Sequence, residues 1–158
     1  MLVVRKGNSQ DYVDLAEIMF DAVRNGRSHY TELQRQAWVP HVRSGKKWED
    51  RLASQEIFVA SDTSQRLGFM SLTANGYIDF AYVRPAAQGT GVFRRMYEKL
   101  ESVALHAGES RLWTHASLMA EPAFAAVGFH ITNEETVKIG DQELRRFEME
   151  KRIDGMTT

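Results

Sequence analysis

Gln88-Gly89-Thr90-Gly91 is the stretch whose residue types and spacing point most directly to chemistry. It follows a run of strand formers, Tyr77, Ile78, Phe80, Tyr82 and Val83, that Pro85 stops by having no N–H for a ladder. It precedes a helical pattern in which Val92, Met96, Leu100 and Val103 recur, with Arg94, Arg95, Glu98 and Lys99 on the other side. A helix that opens on Gly-Thr-Gly leaves its first N–H groups uncovered. Those groups and the helix dipole attract anions, by about 0.3–1 kcal/mol per charge at an exposed terminus. The chemistry implied is capture of a phosphate or pyrophosphate. Two other phosphate motifs are excluded: there is no G-x-x-x-x-G-K-[ST], and Arg94 stands where the dinucleotide fingerprint G-x-G-x-x-G needs its last glycine. His115-Ala116-Ser117 lacks the G-x-S-x-G elbow of a serine nucleophile, and the five histidines have no ligand spacing, so no metal is expected.

The elements that must position this loop follow from turn and cap signals. Leu2-Val3-Val4 reads as a first strand. Asn8 caps a helix whose apolar face is Tyr12, Leu15, Ala16, Met19, Ala22 and Val23, stopped at Asn25-Gly26. Residues 27–54 are harder to read: Thr31 caps a short helix Glu32–Trp38 ended by Pro40, and a second short helix covers Lys46–Ala53. Trp38, Trp48 and Leu33 are expected in the core, with His29 and His41 on the surface. Glu56–Ser61, Arg66–Thr73 and the strand from Tyr77 are joined by tight turns into an antiparallel meander. The central helix closes at Gly108. Arg111–His115 is then a strand reached by a right-handed crossover, parallel to the Tyr77 strand. A helix over Ser117–Val127 and a hairpin of His130–Ile139 with Glu143–Arg152, turning at Gly140-Asp141, complete the chain.

At 158 residues the chain is expected to form one domain spanning 1–158. Twenty basic residues against 21 acidic ones leave no basic face, so no nucleic-acid partner is expected. The chain has no cysteine, which excludes disulfides and thiolate chemistry. No apolar run approaches membrane length and the start shows no signal-peptide pattern, so a cytoplasmic protein without a membrane partner is expected.

The string V-x-P-x-x-Q-G-x-G, carried by Val83, Pro85, Gln88, Gly89 and Gly91, resembles motif A of the GNAT N-acetyltransferase superfamily. The family's final small residue is replaced by Phe93. Further on, the helix leading to Gly128-Phe129 resembles motif B, N-x-x-A-x-x-x-Y-x-x-x-G-F. Ala120 matches its alanine, Ser117 sits at the asparagine and Phe124 at the tyrosine. The ending Phe147, Met149, Glu150, Lys151 is similar to a common close of the family, so the resemblance covers nearly the whole chain. It implies an α/β fold: a strongly twisted mixed sheet of about seven strands with about four helices.

The resemblance also implies an acetyl-CoA co-substrate whose pyrophosphate lies on the main chain of Gln88, Gly89, Thr90, Gly91, Val92 and Phe93. The pantetheine arm would run between the Tyr77–Val83 and Arg111–His115 strands, held by the backbone of Tyr82 and Val83, with Ser117 as a further contact. The acceptor would be an amine of a small molecule or peptide, and exposed strand edges leave a homodimer open. Without cysteine, transfer would be direct in a ternary complex. Many family members carry a glutamate at the position of Tyr77. Here the carboxylate is Asp79, the first candidate general base, with Glu32 and His115 behind it. Tyr77, Asp79, Ala81 and Val83 share one strand face at period two. Phe124 cannot protonate a departing thiolate as the family's tyrosine does, so Tyr82 or Tyr30 is the candidate hydroxyl. Phe93 is expected to pack on the sheet or to narrow the loop. A non-catalytic acyl-CoA sensor is the alternative that Phe93 and Phe124 favour. A generic phosphate binder sharing only the loop is the third reading.

Overall fold

The computed structural model describes residues 1–154. Seven strands, β1 (Val3–Lys6), β2 (Glu56–Ser61), β3 (Arg66–Leu72), β4 (Tyr77–Val83), β5 (Arg111–Ser117), β6 (His130–Ile139) and β7 (Gln142–Arg152), form one mixed sheet. Its order is β1-β2-β3-β4-β5-β7-β6, and only the β4–β5 contact is parallel. The crossover between those two strands is α4 (Val92–His106). The remaining helices are α1 (Tyr12–Arg24), α2 (Glu32–Trp38), α3 (Lys46–Ala53) and α5 (Glu121–Ala126), with short 3-10 turns at Ser9–Asp11 and Pro85–Ala87. The described residues thus hold five α-helices, in keeping with the about four expected, and both short helices of the 27–54 region form as read from the sequence. Thr31 accounts for one of them: its hydroxyl accepts from Gln34 N–H while the Gln34 side chain takes the Thr31 N–H, a complete capping box.

The centre of the sheet is buried on both faces, which is why β2 and β3 read as continuous apolar runs. Along β2, Phe58 and Ala60 face α4 and pack with Met70, Ile78, Met96, Leu100, Leu112 and Phe124. Ile57 and Val59 face the other way, toward Leu15, Ile18, Trp48, Leu52, Phe69 and Phe80. Trp48 satisfies its indole by donating to Tyr12 O at 2.9 Å. Leu33 is not in the core; it is exposed, on the outer side of α2, while His29 and His41 are exposed as expected. Asn8 caps the 3-10 turn rather than the α-helix itself, and its partner Asp11 is buried against Arg5 and Arg66.

Two local features shape the middle of the sheet. The register between β3 and β4 shifts: Met70 opposes Ala81, but Leu72 opposes Ile78. Ser71 therefore faces two residues, Asp79 and Phe80, in a bulge. The extra N–H, that of Phe80, donates to the fully buried Ser71 hydroxyl at 3.0 Å. The bulge breaks the period-two expectation. Ile78, Ala81 and Val83 pack toward α4, whereas Phe80 and Tyr82 pack with the α1 layer and Asp79 bonds to residues of α3 and its end. Asp79 is thus on the opposite face from Ala81 and Val83. The second feature is that β4 and β5 pair only at Tyr77–Trp113 and Ile78–Thr114. Thr114 Oγ1 donates to Ile78 O at 2.8 Å, and beyond that point the strands diverge.

Candidate active site

The divergence of β4 and β5 opens a fork in the sheet. Arg84 N–H donates to Leu67 O, and antiparallel alternation then assigns the main-chain groups of Tyr82 to β3 and those of Ala81 and Val83 to the open side. The Val83 carbonyl is occupied by Gln88 Nε2 at 3.1 Å, so the Val83 N–H is the group left pointing into the fork. The sequence reading expected Tyr82 and Val83 to share this backbone role. The main-chain groups that face the fork are those of Ala81 and Val83, while the Tyr82 side chain lines the cavity.

At the wide end of the fork lies the Gln88–Gly91 loop. Gly89 and Gly91 take positive φ, 78° and 90°, values that an L side chain resists. The turn is braced by Thr90 Oγ1 donating to Ala87 O. The first bond of α4 runs from Arg95 N–H to Gly91 O, and the N–H groups of Gly89, Thr90, Gly91, Val92 and Phe93 have no hydrogen-bond acceptor among the described residues. This is an open anion cradle at the positive end of a 15-residue helix. Arg94 reaches across to Ala126 O, and Arg94 and Arg27 stand at the rim. Phe93 does not block the loop. Its ring packs edge-on to Phe124 at 5.1 Å, and Phe124 packs in turn on Phe129.

One cavity of about 490 Å³ runs from this cradle through the fork to the α1 side of the sheet. Its far wall is aromatic: Tyr30, Trp38 and Tyr82, with ring centroids 5.8 Å and 6.3 Å apart in sequence. The Tyr30 hydroxyl is fully used, donating to Arg145 O at 2.6 Å and accepting from Leu118 N–H at 3.0 Å, which ties the α1–α2 connection to β7 and to the turn before α5. The Tyr82 hydroxyl has no protein partner among the described residues. Burial pushes its pKa up, so at neutral pH it is a proton donor.

Ser117 also lines the cavity, but as the last residue of β5, paired with Arg146, and not as the start of a helix. Its hydroxyl and carbonyl both receive the Ala120 N–H, each at 3.1 Å, and Pro122 then sets the later start of α5. Phe124 is buried and purely packing, 1 % exposed. Asp79 is held firmly. Arg51 donates to both of its oxygens, at 2.8 and 2.9 Å, and Gln55 Nε2 adds a bond of 2.7 Å. Both of its oxygens are thereby occupied by donors from α3 and the turn after it. Glu32, the other carboxylate candidate, lies exposed beside Arg24 and Arg35. His115 bonds to Tyr77 across the fork's closed end, Nδ1 to Oη 2.8 Å. Sequence reasoning missed Arg51, Gln55 and Ser71. Only Ser71 carried a signal, a lone hydroxyl in the middle of an apolar strand.

A fork between parallel strands with an N–H cradle at its mouth defines an acyl-CoA-type acyltransferase scaffold, and the comparisons agree. The family model for the acetyltransferase (GNAT) domain matches residues 26–153. N-acetyltransferase YafP of Escherichia coli (strain K12), itself uncharacterized, is 30% identical over 136 residues, covering 85% of each chain. A GCN5-related N-acetyltransferase crystal structure from Rhodopseudomonas palustris superposes with a TM-score of 0.86 at 27% identity, over 95% of this chain and 94% of that one. The fold is also that of yncA from Salmonella typhimurium, solved with its cofactor acetyl-CoA (TM-score 0.69, 20% identity, covering 100% and 97%). The chain belongs to the GNAT acetyltransferase superfamily. Among the described residues no helix is long and apolar enough to cross a membrane, and no cluster of His, Cys, Asp and Glu could hold a metal.

Proposed function

We propose that the protein moves the acetyl group of acetyl-CoA directly to a primary amine of a small molecule or peptide, within a ternary complex. The observation that carries this reading is the single cavity joining the free N–H cradle at Gly89–Phe93 to the polar and aromatic wall on the other side of the sheet. In this reading the cradle takes the pyrophosphate, with Gln88 and Thr90 bracing the loop. The pantetheine arm extends the sheet along the open edge of β4, near Ser117. The Val83 N–H faces the thioester oxygen and stabilises the charge that develops there during attack. Tyr82 then offers its proton to the departing thiolate, replacing the hydroxyl that Phe124 lacks. A thiol pKa of about 8.5 makes that departure undemanding. Asp79 acts as an anchor for Arg51 on the acceptor side and not as the base.

The test is a calorimetric titration with acetyl-CoA against ATP and NADH, followed by thiol release over a panel of amines. Micromolar binding selective for acetyl-CoA, with thiol released only when an amine is present, is the expected result. Selective binding with no release by any amine would identify a sensor. Equal binding of all three ligands would remove the donor assignment.

A further inference from the structure

The donor site leaves one step without a residue: removal of a proton from the acceptor amine. A primary ammonium with a pKa of about 10.4 is neutral in only about one molecule in a thousand near pH 7. Most ionisable groups on the acceptor side are already committed. Asp79 is held by Arg51 and Gln55. Glu135 accepts from Arg146 at 2.6 Å, and burial keeps Tyr30 and Tyr82 protonated.

Resting on the acyl-transfer reading above, we propose that His115, acting through the Tyr77 hydroxyl, is the proton acceptor for the incoming amine, and that Glu135 and Glu148 hold the imidazolium that results. The geometry fixes the direction of the relay. His115 Nε2 faces two carboxylate oxygens, Glu135 Oε1 at 3.6 Å and Glu148 Oε1 at 3.7 Å. Carboxylates only accept, so Nε2 carries the ring proton of the neutral form. Nδ1 is then a lone pair, and the Tyr77 hydroxyl donates to it at 2.8 Å. The rings are fixed by mutual packing: Tyr77 to Trp113 at 4.5 Å, Trp113 to His115 at 5.6 Å, Tyr77 to His115 at 5.5 Å.

The pair also stands in the right place. Ile78–Thr114 is the last β4–β5 pair, so His115 is the first β5 residue past the vertex of the fork. Ser117, which lines the cavity, is two residues further along the same strand face, about 6.6 Å away. The Asp79–Arg51 pair acts electrostatically on both the Tyr77 and Tyr82 hydroxyls. Burial, followed by Arg146, lowers the His115 pKa, and Glu135 and Glu148 only partly oppose this, so the ring is neutral at pH 7. In the step itself, the ammonium gives one proton to Tyr77 Oη, directly or across one water, as the Tyr77 hydroxyl proton passes to His115 Nδ1. The free amine attacks the thioester carbon, the new C–N bond forms and the C–S bond breaks. The second nitrogen proton balances the one taken up by the thiolate. His115 returns its proton to solvent past Glu135 and Glu148.

Two measurements test the relay. In the first, ¹⁵N imidazole spectra of the unliganded protein should show His115 as the Nε2–H tautomer, titrating below about 6.5. An Nδ1–H tautomer would overturn the assignment whether or not any amine has been found to react. In the second, kcat for the reactive amine is followed against pH. His115→Gln and Tyr77→Phe should each lose about 100-fold or more in kcat and, for His115→Gln, the acidic limb of the profile. Acetyl-CoA affinity and melting temperature should stay near wild type, and Asp79→Asn should keep the limb. A His115→Gln variant that keeps the limb, or an Asp79→Asn variant that alone loses it, refutes the relay. Failure of the unmodified protein to bind acetyl-CoA would instead refute the acyl-transfer reading beneath it.

Discussion

Replacing Ser71 by alanine should expose how much of the fork depends on one hydroxyl. The Ser71 side chain is fully buried, and its oxygen is the acceptor for the extra N–H of the bulge, that of Phe80 at 3.0 Å. Alanine removes the oxygen and leaves a buried donor without that acceptor. An unsatisfied buried donor costs about 1–3 kcal/mol. For a chain of this size each kcal/mol lowers the melting temperature by about 2–4 °C, so a central cost of about 2 kcal/mol gives ~4–8 °C. The same 2 kcal/mol, confined to local opening, speeds exchange of the Phe80 amide roughly 30-fold relative to Phe69, whose N–H remains in the ladder. The assay is a urea melt combined with amide exchange. Ser71→Thr keeps the oxygen and should keep the Phe80 protection, whatever its added methyl costs in packing. A stability loss under about 0.5 kcal/mol with Phe80 protection unchanged would refute the reasoning, because it would mean the bulge is held by strand pairing alone.

Two further outcomes follow from other parts of the chain. Asp11 is buried, which alone would raise its pKa; the guanidinium of Arg5, the Asn8 N–H and Arg66 outweigh this and bring it down to about 2 from 3.8. Because the folded value is the lower one, the stabilisation of about 2 kcal/mol is complete above pH 4 and fades as pH falls toward 2. Asp11→Asn should abolish that part of the acid-unfolding curve and lower stability at pH 7 by at least as much. Gly91→Ala should cost about 1–2 kcal/mol of folding stability, from a side chain forced to φ of 90°, and weaken acetyl-CoA binding at least tenfold in calorimetry by placing a methyl beside the cradle. Unchanged affinity would show that the phosphates bind elsewhere.

The parts of the site that could be read from sequence are those fixed by local rules. Gly89 and Gly91 announce positive φ, Pro85 ends a strand, and a helix must begin with free N–H groups, so the cradle is visible in Gln88–Phe93 without any tertiary information. The same locality explains the capped helix at Thr31 and the parallel placement of β5 after a crossover. What stayed hidden was everything decided between strands. A one-residue bulge at Asp79–Phe80 inverts the face of every residue before it relative to those after it, and period-two counting cannot detect it. Asp79 looked available because its partners, Arg51 and Gln55, come from a different part of the chain and show no periodic link to it. His115 looked weak for the converse reason: its neighbours Tyr77, Glu135 and Glu148 are brought to it by pairing across β4, β5, β7 and β6. The donor half of such a site therefore depends on a contiguous loop and can be read from one sequence. The acceptor half depends on sheet order and register, and a single inserted residue in β4 is enough to exchange which side chains reach the reacting group.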